Sequence, residues 1–373
     1  MNDDVSLRQS PCGGSIDLTE DYTKHSAASG SEHMPSPEVR VVRIPAGKSN
    51  RASWDDFAHR CEASFRCAYD ATAIDQSTGR PTFRPILFDI LSAEGGQKIG
   101  QCAVTKKKAD HYSIESIQLL PAHQALWDIA LAAVLRELGP ARYDYGSHWS
   151  IEPPRETALR GVLGVVVEDV TRVVVEAIDF SRWESWDHYL KQVSNNVKRN
   201  AARAVRDKPQ LRIRVRLGPA TMLDFVEVIR LQRAMWNRKE MDVSMAAFGA
   251  RLLLRTLSLR HHVISAVAID QARLLATYSG IDFGPNSYYL NGGSEADNGG
   301  AAWCLLLHMI KLAYMRTNGQ GKFFMGSVRE NDPGWNDLHR SRLHCRVNAY
   351  PTSVISFSYR RHATDVSSRT PRL

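Results

Sequence analysis

The chain has 373 residues, 43% hydrophobic and 24% charged, with a formal net charge of +8, enough material to bury one or two substantial cores. No stretch reaches the roughly 18 to 20 uninterrupted apolar residues of a membrane-spanning helix, so no membrane span is expected. The opening Met1-Asn2-Asp3-Asp4 is acidic with no apolar segment behind it, which speaks against a secretory signal and predicts a cytoplasmic protein.

Residues 1 to 37 are rich in Ser, Gly, Asp, Glu and Pro without an apolar period, so burial cannot offset the entropy of ordering and a disordered tail is expected. A second disordered tail is expected at 361 to 373. Order begins near Val41 and Val42, and Trp54, Phe57, Cys61 and Phe65 mark one face of a helix. The cluster Ser77-Thr78-Gly79-Arg80-Pro81 predicts a loop. Strands are then predicted at Ile86 to Leu91, Ile99 to Thr105 and Tyr112 to Leu119. They are followed by a helix from Ala122 to Leu138, a strand at Tyr143 to Gly146, a helix near Glu156 to Val162 and a strand at Arg172 to Ile178.

The same order returns later in the chain. Strands are predicted at Val263 to Ile269, Leu274 to Phe283 and Ser287 to Asn291, then a helix from Ala301 to Thr317, a strand at Lys322 to Gly326, a helix near Pro333 to Arg340 and a strand from Val354 to Tyr359. Gly139 precedes Tyr143-Asp144-Tyr145-Gly146 just as Gly319 precedes Phe323-Phe324-Met325-Gly326, with equal spacing from Gly to Gly. A duplicated unit follows, with an N-terminal domain over 38 to 180 and a C-terminal domain over 181 to 360.

Between the repeats, Trp186, Tyr189, Leu190, Val193, Val197, Ala201, Ala204 and Val205 recur at helical steps, predicting a single linking helix over 185 to 206. Ser185 is placed to cap it and Pro209 to end it. A second helix is predicted after Gly218-Pro219, with Met222, Phe225, Val226, Ile229 and Trp236 on its apolar face. From Arg182 to Arg216 there are ten basic residues against Glu184, Asp187 and Asp207, so nearly all the net charge sits in one segment. Such a stripe is either a solvated face or an anion site for a phosphorylated cofactor, an acidic sugar or nucleic acid.

The six cysteines show neither a disulfide framework nor zinc spacing, and the 13 histidines form no ligand pattern. No metal is therefore expected.

Trp186-x-x-Tyr189-Leu190 followed by Lys198-Arg199-x-x-x-Arg203-x-x-Arg206 resembles the opening of the GNAT-superfamily acetyltransferase domain of bacterial cellulose- and exopolysaccharide-associated proteins. Tyr288-Tyr289-Leu290-Asn291-Gly292-Gly293, a polar loop, a Leu-rich helix ending in Gly319 and then Phe323-Phe324-Met325-Gly326 carry the same resemblance, which spans Trp183 to Tyr359. It implies an α/β fold of tandem GNAT-like domains, mixed central sheets flanked by helices, as in the Fem-type aminoacyltransferases. It also implies an acyltransferase for polysaccharide biosynthesis, with acetyl-CoA or another acyl-CoA as co-substrate and a saccharide, amino acid or small-metabolite acceptor. The Fem-type alternative takes an aminoacyl group from tRNA to a cell-wall precursor. A non-catalytic nucleic-acid-binding protein stays open as a third reading, although no nucleic-acid motif is present.

In the resemblance, the donor pyrophosphate rests on backbone N–H groups of the loop after the central strand and of the next helix, here Asn298, Gly299, Gly300 and Ala301. Glu295 and Asp297 depart from that pattern. They would repel a pyrophosphate unless they face away, unless backbone donors do the holding, or unless the carrier is not CoA. The same two carboxylates are the first candidates for proton acceptor, with Asp282 next, while Tyr289 or Asn291 would orient the acceptor. Cys304 opens an apolar helix with no histidine placed by spacing, so covalent catalysis is not expected. Acceptor binding would draw on Lys198, Arg199, Arg203, Trp236, Ser327, Trp335, Arg340 and Arg342. The N-terminal repeat has Pro121 and no glycine pair where a donor loop would lie, so the donor site is expected in the C-terminal half.

Overall fold

The computed structural model describes residues 39–45, 51–75, 80–81, 85–240, 242–329 and 336–361. The expected tails apart from Arg361, most of the Ser77–Pro81 loop and Trp335 lie outside them.

The strands, in chain order, are β1 (Val39–Ile44), the short pair β2 (Ile74–Asp75) and β3 (Arg80–Pro81), β4 (Ile86–Ser92), β5 (Lys98–Lys108), β6 (His111–Leu119), β7 (Ala141–Tyr145), β8 (Val165–Asp179), β9 (Arg212–Leu217), β10 (Val263–Asp270), β11 (Arg273–Phe283), β12 (Asn286–Ser294), β13 (Lys322–Arg329) and β14 (Asn348–Tyr359). The helices are α1 (Arg51–Arg60), α2 (Trp127–Leu138), α3 (Glu156–Gly161), α4 (Trp186–Gln192), α5 (Asn195–Asp207), α6 (Phe225–Arg238), α7 (Met245–Ser258), α8 (Ala301–Arg316) and α9 (Asn336–Leu343).

Twelve strands form one sheet in the order β1-β4-β5-β6-β7-β14-β8-β13-β12-β11-β10-β9. The order is palindromic about the β14–β8 pair. β6 and β7 run parallel, as do β12 and β13, while the other neighbours are antiparallel. The halves also exchange strands: β8, which ends the first repeat, pairs with β13 of the second, and β14 pairs with β7 of the first. The expected boundary at 180/181 is therefore no break in the sheet.

Each half fills one core with the helix that follows its fourth antiparallel strand in the main sheet. In the first, Trp127, Leu131, Val134 and Leu135 of α2 pack on Ile114, Ile117 and Tyr143. In the second, Leu305, Met309 and Ile310 of α8 pack on Tyr278, Phe323 and Ile178, with Tyr189, Val193 and Val197 beside them. A third cluster covers the other face of the sheet around Val175, Ala177, Phe283, Tyr288 and Phe324.

Two helical expectations are corrected. The linking helix is broken at Val193, because Ser194 turns out of helical conformation and its hydroxyl accepts from Val197 N–H to start α5 afresh. Val205 is 59% exposed, so the buried stripe is shorter than the spacing predicts. In α6 the buried face is Val228, Leu231 and Gln232, and Val226 points outward at 71% exposed. The Gly218–Asp224 turn before it is 3₁₀, with three residues per turn, which rotates the apolar stripe away from the α-helical phase assumed from the sequence.

Candidate functional site

The central strands of the second half diverge. β12 and β13 pair at only two positions, Ser287 with Phe323 and Tyr288 with Phe324, and then separate. Two bulges drive the divergence. Leu290 is the extra residue between the Ser279–Asn291 and Gly280–Tyr289 pairs, and Met325 is the extra one between the Phe324–Ala177 and Gly326–Glu176 pairs. A bulge leaves one residue outside the ladder and re-aims the next side chain.

The opening is a cleft of about 220 Å³ lined by Met235, Tyr278, Tyr289, Gly292, Gly293, Ala302, Trp303, Leu306, Met325, Ser341 and Arg342, among others. Tyr289 stacks on buried Tyr278 with ring centroids 5.1 Å apart. Burial pushes its hydroxyl up to about 12, with Arg342 opposing, so at neutral pH it is a hydrogen-bond donor and no base. Glycines keep the wall thin. A Cβ at Gly293 would stand 2.6 Å from the Leu231 backbone of α6, and one at Gly292 would overlap the Tyr289 hydroxyl. Gln232 ties α6 to this strand, its amide donating to Gly292 C=O (3.1 Å) and accepting from Trp236 Nε1 (3.1 Å).

The loop from Glu295 to Ala301 lies at the cleft's end. Glu295 faces away, into an ion pair with Arg230 of α6 at 3.1 Å, while Asp297 is exposed. Asn298 Oδ1 accepts from Gly300 N–H (3.0 Å), its C=O accepts from Ala301 N–H (3.1 Å), and its Nδ2 donates to Glu295 C=O (2.9 Å). Two of the N–H groups expected to hold an anion are thus spent inside the loop. Gly299 and Gly300 take positive φ, +60° and +93°, where glycine is favoured. A Cβ on Gly300 would overlap the Asn200 carbonyl of α5, and one on Gly299 would meet Lys208 Cε at 3.2 Å. The basic helix therefore packs along α8 and brings Lys208, a residue the spacing did not single out, beside the glycine turn.

The other expected residues are dispersed. Lys198 donates to the Lys191 carbonyl (3.0 Å) at the end of α4, and Arg199 and Arg203 are exposed on the same helix. Arg214 and Arg216, counted in the charge stripe, are tied to fully buried Asp224 at 2.9 and 3.1 Å. Trp236 packs on Phe248 in a small satellite core, and Met235 reaches the cleft in its place. Asn291 is half-buried opposite Ser279. Burial raises the Cys304 thiol, which suits packing more than nucleophilic attack.

Sequence reasoning missed the cluster behind Arg342. Glu176, fully buried on β8, accepts from Arg342 Nη1 at 2.8 Å and is in contact with His339 Nδ1. Arg342 also donates to the Ser327 carbonyl at 3.4 Å. Alternation along β8 puts Glu176 on the Ile178 side of the sheet, the side α8 covers. A charged residue inside an otherwise apolar Val-Val-Val-Glu-Ala-Ile run was the available signal.

The first half has the same divergence, bridged by a side chain, with a polar cavity of about 460 Å³ beside the bridge, lined by Ser116, Ile117, Gln118, Gln124, Glu152 and Arg155 among others. β6 carries a bulge at the matching place, with Cys102 opposite Ile117 and Val104 opposite Ile114. Tyr145, which precedes Gly146 as Met325 precedes Gly326, spans the gap: its hydroxyl accepts from Trp127 Nε1 (3.0 Å) and Ile117 N–H (3.4 Å) and donates to Glu152 (2.8 Å). Glu152 pairs in turn with Arg155 at 3.0 Å.

Among the described residues, no group of three or more His, Cys, Asp or Glu is placed to hold a metal ion, and no helix is long and apolar enough to cross a membrane. No family model and no curated protein sequence matches the chain. Solved structures do. FemX matches at 11% identity and a TM-score of 0.59, over 86% of this chain and 97% of that one. A conserved Bacteroides thetaiotaomicron protein of unknown function matches at 9% and 0.51, over 86% and 100%. A tandem GNAT protein from the clavulanic acid biosynthesis pathway matches at 11% and 0.48, over 86% and 98%. The fold is the α/β arrangement expected from the sequence, two GNAT-like units with helices flanking a mixed sheet.

Proposed function

We propose that the protein is an acyltransferase whose donor lies in the C-terminal cleft, with an acyl-CoA as donor and an amine or hydroxyl of a sugar, amino acid or small metabolite as acceptor. The observation that carries this reading is the divergence of β12 from β13: it opens an apolar slot between two strands whose unpaired backbone groups face the reacting carbonyl, where a fixed N–H can stabilise an oxyanion. Gly292 and Gly293 allow close approach, and the Tyr289 hydroxyl adds a donor. Lys208 beside Gly299 supplies a charge for the phosphorylated end of the donor. In the first half Tyr145 and Glu152 bridge the equivalent strands, and the cavity beside them is lined by Glu152 and Arg155 and has no glycine among its lining residues, which favours the C-terminal cleft for the donor.

Asn298 favours a second reading. By consuming the Gly300 and Ala301 N–H groups it weakens the pyrophosphate cradle, and together with the basic face of α5 this supports an aminoacyl-tRNA donor and a cell-wall precursor as acceptor.

Calorimetry separates the readings. The full chain should bind acetyl-CoA, and Ala302→Trp, which fills the slot from the first turn of α8, should weaken it at least about tenfold, about 1.4 kcal/mol, with an unchanged melting temperature. Equal affinity in the variant would remove the cleft from the donor site. Binding of aminoacyl-tRNA without acetyl-CoA would establish the second reading.

A further inference from the structure

We propose that His339, held by buried Glu176, is the group that takes the proton from the acceptor, and that Glu176 is its positioning residue. This rests on the acyl-transfer reading of the C-terminal cleft. Of the expected bases, Glu295 is engaged with Arg230, Asp282 is hydrogen-bonded by Ser287 at 2.6 Å and paired with Arg316, and Asp297 stands on the exposed loop without a buried partner to orient it among the described residues.

His339 and Arg342 lie one turn apart on α9 and both reach Glu176, so they share a face of that helix. Arg342 and its neighbour Ser341 line the cleft, and His339, one turn before Arg342 on the same helix, is joined to it through Glu176. It is 39% exposed, accessible to an incoming acceptor, whereas Glu176 is fully buried.

The geometry also sets the chemistry. A carboxylate only accepts, so contact with Glu176 requires the imidazole to carry its proton on Nδ1, leaving the Nε2 lone pair free. Arg342 Nη1 donates to the other Glu176 oxygen at 2.8 Å and supplies its counter-charge. As the acceptor nitrogen or oxygen bonds to the acyl carbon and the carbon–sulfur bond of the thioester breaks, the acceptor's proton passes to His339 Nε2. The departing thiolate is then protonated from the imidazolium or from solvent, and no external oxidant or reductant is needed. Among the described residues, Glu176 and Arg342 are the charged groups that meet at the imidazole from β8 and α9, with Arg340 adjacent on the helix surface.

Two measurements on the full chain test this. Nitrogen-15 NMR should find the His339 ring protonated on Nδ1 at neutral pH and a changed tautomer balance in Glu176→Gln. Thiol release from acetyl-CoA, with water as acceptor, should drop about 100-fold in kcat in His339→Gln while KM and calorimetric affinity hold. The acid limb of the rate–pH profile should vanish, and added imidazole should restore part of the rate. The half-exposed His339 site keeps the test valid if Glu176→Gln fails to fold. Wild-type turnover and pH profile in His339→Gln, or an Nε2-protonated ring, would overturn the proposal. A wild-type chain that does not bind acetyl-CoA sinks the CoA reading alone, and the same two proteins are then compared on deacylation of aminoacyl-tRNA, with the same drop expected and equal rates overturning it.

Discussion

Tyr145 and Met325 occupy matching positions before Gly146 and Gly326, and the contrast between them accounts for a bridged, polar divergence in the first half and an apolar slot in the second. A phenol hydroxyl deep in a sheet must find partners, and Tyr145 takes them from Trp127, Ile117 and Glu152, whereas the flexible thioether of Met325 leaves its side of the slot apolar. The glycine echo made the correspondence legible in the sequence. The buried network was not legible, because Glu152 and Arg155 lie in a loop whose path only the fold determines. The same limit applies to Asp224, which looks like a helix-capping residue yet spends its charge on Arg214, Arg216 and Ser265. His148, just beyond Gly146, provides a test at this scale. Burial, with Arg66 and Arg329 adding to it, lowers its pKa from 6.5 to about 4. Below pH 6.5 the unfolded chain binds a proton that the folded site refuses, so stability is full above that value and falls as pH drops toward about 4. Urea melts at about pH 7.5 and about pH 5 should therefore show a smaller acid-side loss in His148→Asn than in the wild type, and equal losses would show that the site does not exclude the proton.

At the scale of elements, the basic segment divides into parts with different work. β9, Arg-Ile-Arg-Val-Arg-Leu, is an edge strand; its strict alternation signals a half-buried strand, but the arginines drew attention to charge instead of period. Cationic residues on an edge also discourage pairing with another chain. The α5 stripe is different: it flanks the glycine turn and leaves Arg199 and Arg203 in solvent. Replacing Lys198, Arg199 and Arg203 together with Gln should change stability by no more than about 0.5 kcal/mol, because glutamine keeps helix propensity and the hydrogen bond from Lys198 to the Lys191 carbonyl is an exposed one. Binding to single-stranded RNA should weaken and its log–log salt slope should flatten by about two units, near 0.7 for each phosphate no longer neutralised. An unaltered slope would make the stripe a solvated face and remove the main support for a tRNA donor.

For the whole molecule, periodicity and turn residues predicted nearly every strand of both repeats, and the repeated order predicted the fold class. The exchange of β8 and β14 was out of reach, since local pattern says which segments are strands but not which distant strand each one joins. That exchange bears on dissection. A fragment of residues 180 to 373 lacks β8, so β13 and β14 have no strand between them and Ile178 is missing from the core around α8. The fragment should show no cooperative melt by circular dichroism, whereas one extended back to Val165 should recover at least part of it; a cooperative melt at 180 to 373 would mean that β8 is dispensable. The interleaving also imposes an order on synthesis. Domains made early on the ribosome can normally fold while the rest is translated, but here β7 has no neighbour on its inner edge until Asn348–Tyr359 has emerged at the far end of the described chain. Throughout that interval β7 and β8 present open edges to solvent or to a chaperone, so the nascent first half must be kept from pairing with another chain until its own last strand arrives.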